Sequence, residues 1–276
     1  MNKKTSINRI VTSISLVLIF LHFSLCIAQQ TTDSFIIGDK ISFDSKILNE
    51  KRLAVVIPPF GYKNHPEKKY PVVYVLDAGN NLFATHGIAN YYSKMLEIMP
   101  EVIIVGIVNK DRIHDFSPAP VKDYPNGGGA DKFIDFLNSE LTTYIDKNYP
   151  TSGYNTIVGH SIAGLLGVYV LQKKPDLFDS FLLIDPTVGW NDFQCIESTK
   201  GFFLENKTIN KKVFITSCSQ KQDGMYSFLG VLEMYAPESF IWEHKFYKNE
   251  NHNTLGHKSI CDGFEMIFKD WGNKDK

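Results

Sequence analysis

The stretch NTIVGHSIAGLLGVYVL (residues 155–171) joins a strand pattern to a helix pattern across Gly-His-Ser. Residues 156–158 are all β-branched, as in a buried strand, and the apolar residues after Ser161 recur at helical spacing. A strand that turns tightly into a helix at a serine exposes the Oγ atom and points the next backbone N–H at the same spot. The pattern therefore predicts that Ser161 is a nucleophile, which requires a base, an acid and an oxyanion site elsewhere in the chain.

Small residues flank this serine. Gly159 and Ala163 stand two places before and after Ser161, where the backbone must fold back on itself. They approximate the motif G-x-S-x-G, with alanine at the last position and Gly164 beside it. The motif alone is modest evidence, and its strand–turn–helix context strengthens it.

Three histidines in the C-terminal part of the chain are candidates for the base. His252 lies in KNENHNTLGH (residues 248–257), a polar loop before the last predicted helix, where the base of an α/β-hydrolase belongs. His257, in the same stretch, is the second choice. His244 lies in the strand-like stretch SFIWEHKFY, and we interpret it as structural. The sequence therefore predicts His252 as the base.

Several carboxylates compete for the role of the acid. We predict Asp223, in SCSQKQDGM, because it follows a predicted strand over 213–218 and so has the usual place in the chain. Glu250, two residues before the predicted base, is the alternative. Asp185, at the end of the strand that follows the nucleophile helix, is a third carboxylate. A serine–histidine dyad without an acid also stays open.

The oxyanion of an acyl-transfer intermediate needs N–H donors. One is predicted to be the backbone N–H of Ile162, directly after the nucleophile. The other is predicted at Ala78 or Gly79, in the loop after a strand-like run over 70–77. Backbone N–H groups suit this role because they are rigid and need little reorganisation.

The N-terminus has the pattern of a secretion signal. Three basic residues precede an apolar run over 10–28 that ends in small residues at the cleavage-defining positions. We predict cleavage after Ala28 and export to the periplasm or the extracellular space, with no stable membrane anchor on the remaining residues 29–276. An uncleaved membrane anchor is the alternative. Lipidation at Cys26 is disfavoured because bulky Leu25 precedes it.

Composition excludes some classes of partner and site. The formal net charge of −1 gives no basic footprint for nucleic acid. Cleavage of the signal leaves Cys195, Cys218 and Cys261, which allow one disulfide or none. No Cys/His spacing indicates a metal site, so no metal or organic cofactor is predicted.

Strands alternate with helices along residues 29–276. The predicted elements are a strand pair within 34–62, strands over 70–79, 101–109, 154–161, 180–186 and 212–219, and helices over 127–149 and 259–271. Such alternation favours a mostly parallel sheet with helices on both faces. We predict a single domain with an α/β-hydrolase fold.

From about residue 37 to the C-terminus the chain resembles the putative esterase family of α/β-hydrolases. That family includes esterase D, enterochelin-type siderophore esterases and feruloyl esterases. The stretches that carry the resemblance include YPVVYVLDA, GGGADKFIDFLNSEL, VGHSIAGLLGVYVL and ENHNTLGHKSICDGFEMIF. The resemblance implies Ser161 as nucleophile and His252 as base.

Three positions depart from the family pattern. Ala78, Ala163 and Asn253 stand where the family usually has glycine. These departures bear on efficiency and substrate size more than on the type of reaction.

Two further residues are candidates for the substrate pocket. Arg112, in NKDRIHDFSP, either contacts an anionic group of the substrate or pairs with Asp115, and we favour the pairing. Trp190, in DPTVGWND, either lines the pocket or packs in the core.

Together these features predict an exported serine hydrolase that cleaves carboxylic esters through an acyl-enzyme. Its substrate would be a small-molecule or saccharide-linked ester, with siderophore, acetyl and feruloyl esters all open. Acyl transfer or peptide cleavage on the same machinery is one alternative. A binding protein that kept the fold without catalysis is another; Ala78 and Ala163 motivate it, and the intact serine and histidine argue against it.

Overall fold

The computed structural model describes residues 36–219 and 223–271, so the predicted signal peptide lies outside the described residues. The strands are β1 (Asp39–Ser45), β2 (Glu50–Ile57), β3 (Tyr70–Val75), β4 (Ile103–Val108), β5 (Thr151–His160), β6 (Ser180–Ile184), β7 (Lys211–Cys218) and β8 (Phe240–Tyr247). The α-helices are α1 (Ala78–Lys94), α2 (Arg112–Phe116), α3 (Ala130–Phe136), α4 (Thr142–Asn148), α5 (Ile162–Lys173), α6 (Trp190–Glu205), α7 (Met225–Tyr235) and α8 (Gly256–Phe268).

The strands form one sheet in the order β1-β2-β4-β3-β5-β6-β7-β8. The first two pairings, β1–β2 and β2–β4, are antiparallel, and all the others are parallel. The predicted fold class is therefore confirmed: a mostly parallel sheet in an α/β protein.

Helices cover both faces of this sheet, because its central strands are apolar on both sides. Every residue of β3 and β6 is buried. One apolar cluster packs α3 and α5 to α7 against one face, and a second packs α1 and α8 against the other. Successive residues of a strand point to opposite faces and so enter different clusters, as Tyr74 and Val75 do.

The helix predicted over 127–149 is interrupted. Helices α3 and α4 are joined by a π-helical turn, Leu137–Leu141, whose wider hydrogen-bonding pattern is locally irregular. Apolar spacing alone does not reveal such a turn. No helix in the described part of the chain has the length and apolarity needed to cross a membrane.

The parallel strands bring their carboxyl ends to one edge of the sheet. Asp77 stands shortly after β3, Ser161 directly after β5 and Asp185 directly after β6. Ligands of open α/β sheets bind at this edge. The predicted nucleophile and the predicted oxyanion donors therefore share one end of the sheet.

Candidate active site

Ser161 occupies a strained turn between β5 and α5. Its φ of 63° and ψ of −122° are unusual for a residue with a side chain. The turn is held by its backbone: the Ser161 N–H donates to Ile184 O at 2.9 Å, and Ser161 O accepts from Leu165 N at 3.1 Å. Strain of this kind persists only where the surroundings enforce it, and it concentrates at functional sites.

The small residues around Ser161 are required by a close approach of backbone. A Cβ atom added at Gly159 would lie 2.3 Å from the carbonyl oxygen of Ala163, which no real contact tolerates. Ala163 itself is fully buried, so its methyl group is accommodated in place of the family's usual glycine. The G-x-S-x-A sequence thus forms the tight elbow predicted from the motif.

His252 lies in the loop between β8 and α8, and neighbouring polar side chains shape that loop. The Asn253 N–H donates to Asn251 Oδ1 at 2.9 Å, and the Asn251 N–H donates to Thr254 Oγ1 at 3.0 Å. Asparagine side chains favour such local turns. The sequence analysis did not single out Asn251 and Thr254, although the run NENHNT carries the turn signal.

Asp185 is the carboxylate that pairs with His252. The distance from His252 Nδ1 to Asp185 Oδ2 is 2.6 Å. Asp185 is fully buried, and the His252 side chain is 19% exposed. With Nδ1 donating to the carboxylate, Nε2 of a neutral ring is left as the proton acceptor. This tautomer is the one that a general base requires.

The structure places Asp185, and not the predicted Asp223, against His252. Asp223 is exposed. Its backbone packs closely against Gly189, where an added Cβ atom would lie 2.8 Å from the Asp223 carbonyl oxygen. The physical reason lies in strand order: β6 is hydrogen-bonded to β5, so the residue after β6 adjoins the nucleophile turn. A carboxylate therefore lies against His252, which argues against the alternative of a serine–histidine dyad without an acid.

Glu250 forms an ion pair with Lys258, and hydrogen bonding from Lys258 lowers the pKa of its carboxyl below the ordinary value. The remaining histidines lie as follows. His257 is exposed at the start of α8. His244 Nε2 lies 2.8 Å from Ser217 Oγ on the neighbouring strand, in the structural position expected of it.

Cys218, the last residue of β7, is a second neighbour of the Asp185 carboxylate. Its Sγ donates to Asp185 Oδ2 at 3.4 Å, and Cys218 is buried. A thiol is a weak donor, so this contact orients the carboxylate at little cost. No disulfide joins Cys195, Cys218 and Cys261, which answers the pairing left open by their number.

His160 packs against the ring of His252, with ring centroids 4.6 Å apart. Burial, and after it the electrostatic effect of His252, lowers the pKa of His160 from 6.5 to about 4. His160 is therefore neutral near pH 7, so it adds no positive charge beside the predicted base. Its Nε2 has no hydrogen-bond partner among the described residues.

The predicted oxyanion donors lie at the first turns of two helices. Ile162 begins α5, and Ala78 and Gly79 begin α1. The first N–H groups of an α-helix have no acceptor within the helix and carry the positive end of its dipole. Thr187 also reaches this turn, with its Oγ1 atom 3.4 Å from Ser161 Oγ.

Arg112 holds the residue before these donors. Its Nη2 donates to Asp77 Oδ2 at 2.8 Å and its Nε to the same oxygen at 3.2 Å. Asp77 has a left-handed backbone, with φ 54°, and its N–H donates to Asn109 Oδ1 at 3.2 Å. Arg112 therefore pairs as favoured, but its partner is Asp77; Asp115 pairs with Arg52 instead.

Trp190 combines packing with a place beside a loop. It is 8% exposed, and its Nε1 donates to Ala119 O at 2.8 Å. Its ring stacks on Tyr124, with centroids 5.5 Å apart. The packing role is thus present in the structure, and contact with a substrate stays a prediction.

The model of the family described as Putative esterase matches residues 45–245. This chain belongs to that family. The ferri-bacillibactin esterase BesA of Bacillus subtilis is 29% identical over 171 residues, which cover 54% of this chain and 59% of that protein, less than two thirds of its length. The siderophore triacetylfusarinine C esterase of Aspergillus fumigatus is 27% identical over 243 residues, covering 73% of this chain and 82% of that protein.

A solved structure shares the fold over most of the chain. It is an IroE-like serine hydrolase from Shewanella oneidensis, with a TM-score of 0.80 and 27% identity, covering 85% of this chain and 81% of that one. Family membership and these relatives support a carboxylic ester hydrolase. Among the described residues, no cluster of three His, Cys, Asp or Glu side chains is placed to hold a metal ion.

Proposed function

We propose that this protein is a serine esterase that uses Ser161 as nucleophile, His252 as general base and Asp185 as the acid. The observation that carries the proposal is the 2.6 Å contact between His252 Nδ1 and Asp185 Oδ2 at the carboxyl edge of the sheet. It supports a histidine fixed in the tautomer that accepts a proton at Nε2. The strained turn at Ser161 supports the matching nucleophile.

The proposed reaction has two half-reactions. Ser161 Oγ attacks the ester carbonyl carbon while His252 Nε2 takes its proton, and the imidazolium then protonates the departing alkoxide to release the alcohol. Water attacks the acyl-enzyme in the same way, with His252 again taking a proton and returning it to Ser161 as the acid product leaves. Asp185 holds the ring and stabilises its charged form without itself being protonated.

The tetrahedral intermediates need donors for their oxyanion. The N–H of Ile162 is proposed as one donor, and that of Ala78 or Gly79 as the other. Their positions in the first turns of α5 and α1 support this assignment, because these N–H groups are not consumed inside the helices.

The test is hydrolysis of p-nitrophenyl acetate by the purified protein, compared with Ser161→Ala and His252→Ala. Each variant is expected to lose on the order of 10⁴–10⁶ in kcat while keeping the circular dichroism spectrum of the wild type. A fluorophosphonate probe is expected to label the wild type and not Ser161→Ala. A folded protein that neither turns over esters nor takes up the probe would instead favour the binding-protein alternative.

A siderophore ester is the substrate that we propose first within this class. The relatives from Bacillus subtilis and Aspergillus fumigatus support it, since one is named a ferri-bacillibactin esterase and the other a siderophore triacetylfusarinine C esterase. The test compares ferri-bacillibactin with p-nitrophenyl acetate and a feruloyl ester. Turnover of the siderophore no faster than that of the simple acetate would contradict this substrate and leave the esterase proposal intact.

Export also remains part of the proposal, supported by the sequence of residues 1–28. Expression of the full chain in a bacterium, followed by fractionation and mass spectrometry of the N-terminus, tests it. A mature N-terminus at Gln29 is the expected result, and an intact Met1 in the membrane fraction would overturn it.

A further inference from the structure

Strand β8 forms one edge of the sheet, and its outer side has no strand partner among the described residues. It pairs with β7 over eight consecutive residues without a shift of register. In such a strand, every second residue directs its N–H and C=O away from the sheet. β8 is thus a long, regular edge that offers backbone hydrogen bonds to another strand.

Edge strands are commonly protected from pairing by proline, bulges or charged side chains, and of these β8 carries only the charges of Glu243 and Lys245. The strand has no proline, and two large apolar side chains are exposed, Ile241 at 47% and Phe246 at 51%. The opposite edge strand, β1, has no large apolar side chain exposed to this degree. Of the two edges, β8 is therefore the one whose covering would remove more apolar surface from water.

A second copy of the same strand can pair with β8 only in certain registers. Directly opposed residues in antiparallel strands lie on the same face of the sheet, and side chains alternate between faces. In a symmetric pair the twofold axis must therefore lie between one residue and the same residue of the second copy. An axis between two different residues would oppose side chains from opposite faces. This restriction leaves three central choices, at Glu243, His244 and Lys245.

Charge decides between these registers. An axis at Glu243 places two glutamates opposite each other, and an axis at Lys245 does the same for two lysines, both of which are destabilising. An axis at His244 places each Glu243 opposite a Lys245, and each Trp242 opposite a Phe246, so two opposite-charge pairs and two aromatic pairs form. Within β8 it pairs seven residues, as many as the axis at Glu243 and more than the axis at Lys245.

We propose that this protein forms a homodimer in which β8 pairs antiparallel with β8 of a second copy about His244, joining the two sheets into one. In the monomer, Glu243 and Lys245 are both accessible for these cross-strand contacts. Glu243 has no ion pair among the described residues, and its side chain is exposed. Lys245 pairs with Asp262 and keeps half of its side chain accessible, so it can share its charge with an incoming glutamate.

The test is sedimentation equilibrium of the purified protein over two decades of concentration, with charge reversals as variants. Glu243→Lys or Lys245→Glu places like charges at both cross-strand pairs, so either change is expected to raise the dimer Kd about tenfold or more. The double variant Glu243→Lys/Lys245→Glu restores opposite charges and is expected to return the Kd close to that of the wild type. Glu67→Lys, an equally exposed reversal before β3, is the matched control and should leave the Kd unchanged.

Ester hydrolysis per subunit checks that each variant is folded, because none of these residues lies in the proposed catalytic machinery. A wild-type protein that is monomeric throughout the range would overturn the proposal. So would a dimer that survives both single reversals, a double variant that fails to recover, or a dimer lost only on reversal of Lys40 in β1.

Discussion

Two buried carboxylates, Asp115 and Asp185, differ in the hydrogen bonds that they accept and in the exposure of their partners. Asp115 accepts two guanidinium hydrogen bonds from Arg52, at 2.6 and 2.7 Å, and Glu50 pairs with the same guanidinium. Asp185 accepts from His252 Nδ1 and from the weak thiol donor of Cys218. The Arg52 and Asp115 side chains are 4% and 1% exposed, whereas His252 is 19% exposed. The first arrangement is almost fully buried, while the second leaves part of the imidazole ring accessible to solvent.

The Arg52–Asp115 pair and the His252–Asp185 pair also lie in different parts of the fold. Arg52 in β2 and Asp115 in α2 tie a helix to an antiparallel strand, and Arg52 also lies 5.5 Å from the centroid of the Phe133 ring. Asp185 stands at the end of a parallel strand, where loops from neighbouring strands converge. A buried ion pair can connect a strand to a helix, whereas a partly accessible pair at the carboxyl edge of the sheet can meet a ligand.

The largest expected effect comes from breaking the second arrangement alone. Asp185→Asn should lower kcat for p-nitrophenyl acetate by about 10⁴, because an amide facing Nδ1 favours the wrong tautomer of His252. The matched control is Asp223→Asn, which removes the carboxylate that chain order favours. It should keep kcat close to that of the wild type. The reverse result would restore Asp223 as the acid.

Breaking the Arg52–Asp115 pair should affect stability and not chemistry. Arg52→Met leaves Asp115 buried without its cation, so the free energy of unfolding should fall by about 3–5 kcal/mol in urea titrations. The folded fraction should keep a kcat close to that of the wild type. The double variant Arg52→Met/Asp115→Leu should recover much of the loss, since an apolar pair of similar volume has no charge to solvate. A large loss of kcat in the folded single variant would contradict the separation of the two arrangements.

The two pairs also show which features could be predicted from the sequence. The strand–serine–helix pattern and the polar loop before the last helix were sufficient to find Ser161 and His252 as candidates, since both signals are local. The fold class followed from the alternation of strands and helices. The identity of the carboxylate that lies against His252 depends on which strand lies beside β5, and strand order is a property of the whole sheet. Asp185 did carry a local signal, because a carboxylate that directly follows the apolar run FLLI is expected to be buried.

Other features had no local signal at all. Residues Asn191, Asp192 and Phe193 adopt left-handed conformations, with φ between 50° and 63°, inside a stretch whose spacing is helical. A phenylalanine at positive φ is held there by tertiary contacts, and a Cβ atom added at Gly224 would lie 2.7 Å from its ring. Asparagine and aspartate tolerate such a conformation, whereas phenylalanine rarely adopts it, so its position at Phe193 could not be predicted from local propensity.

A smaller effect is expected at the oxyanion turn. Arg112→Ala removes both donors to the Asp77 carboxylate, so the N–H groups of Ala78 and Gly79 should be held less firmly. We expect kcat to fall about tenfold, less than the loss of a whole donor, with little change in KM for a neutral ester. Arg112→Lys keeps the charge without the planar fork and should recover only part of kcat. An increase in KM confined to anionic esters, with kcat unchanged, would instead indicate that Arg112 contacts the substrate directly.

The smallest effect tests the environment of the imidazole pair. His160 has a pKa of about 4 in the folded protein against 6.5 ordinarily, chiefly because it is buried. The unfolded chain therefore binds a proton at higher pH than the folded one, so the stabilising contribution is complete above pH 6.5 and is lost as the pH falls towards 4. His160→Gln removes this linkage. Between pH 7 and pH 5, the free energy of unfolding of the wild type should fall by about 1 kcal/mol more than that of the variant, after allowance for partial exposure. Urea titrations at the two pH values measure the difference, and parallel losses in both proteins would show that His160 is not held neutral against His252.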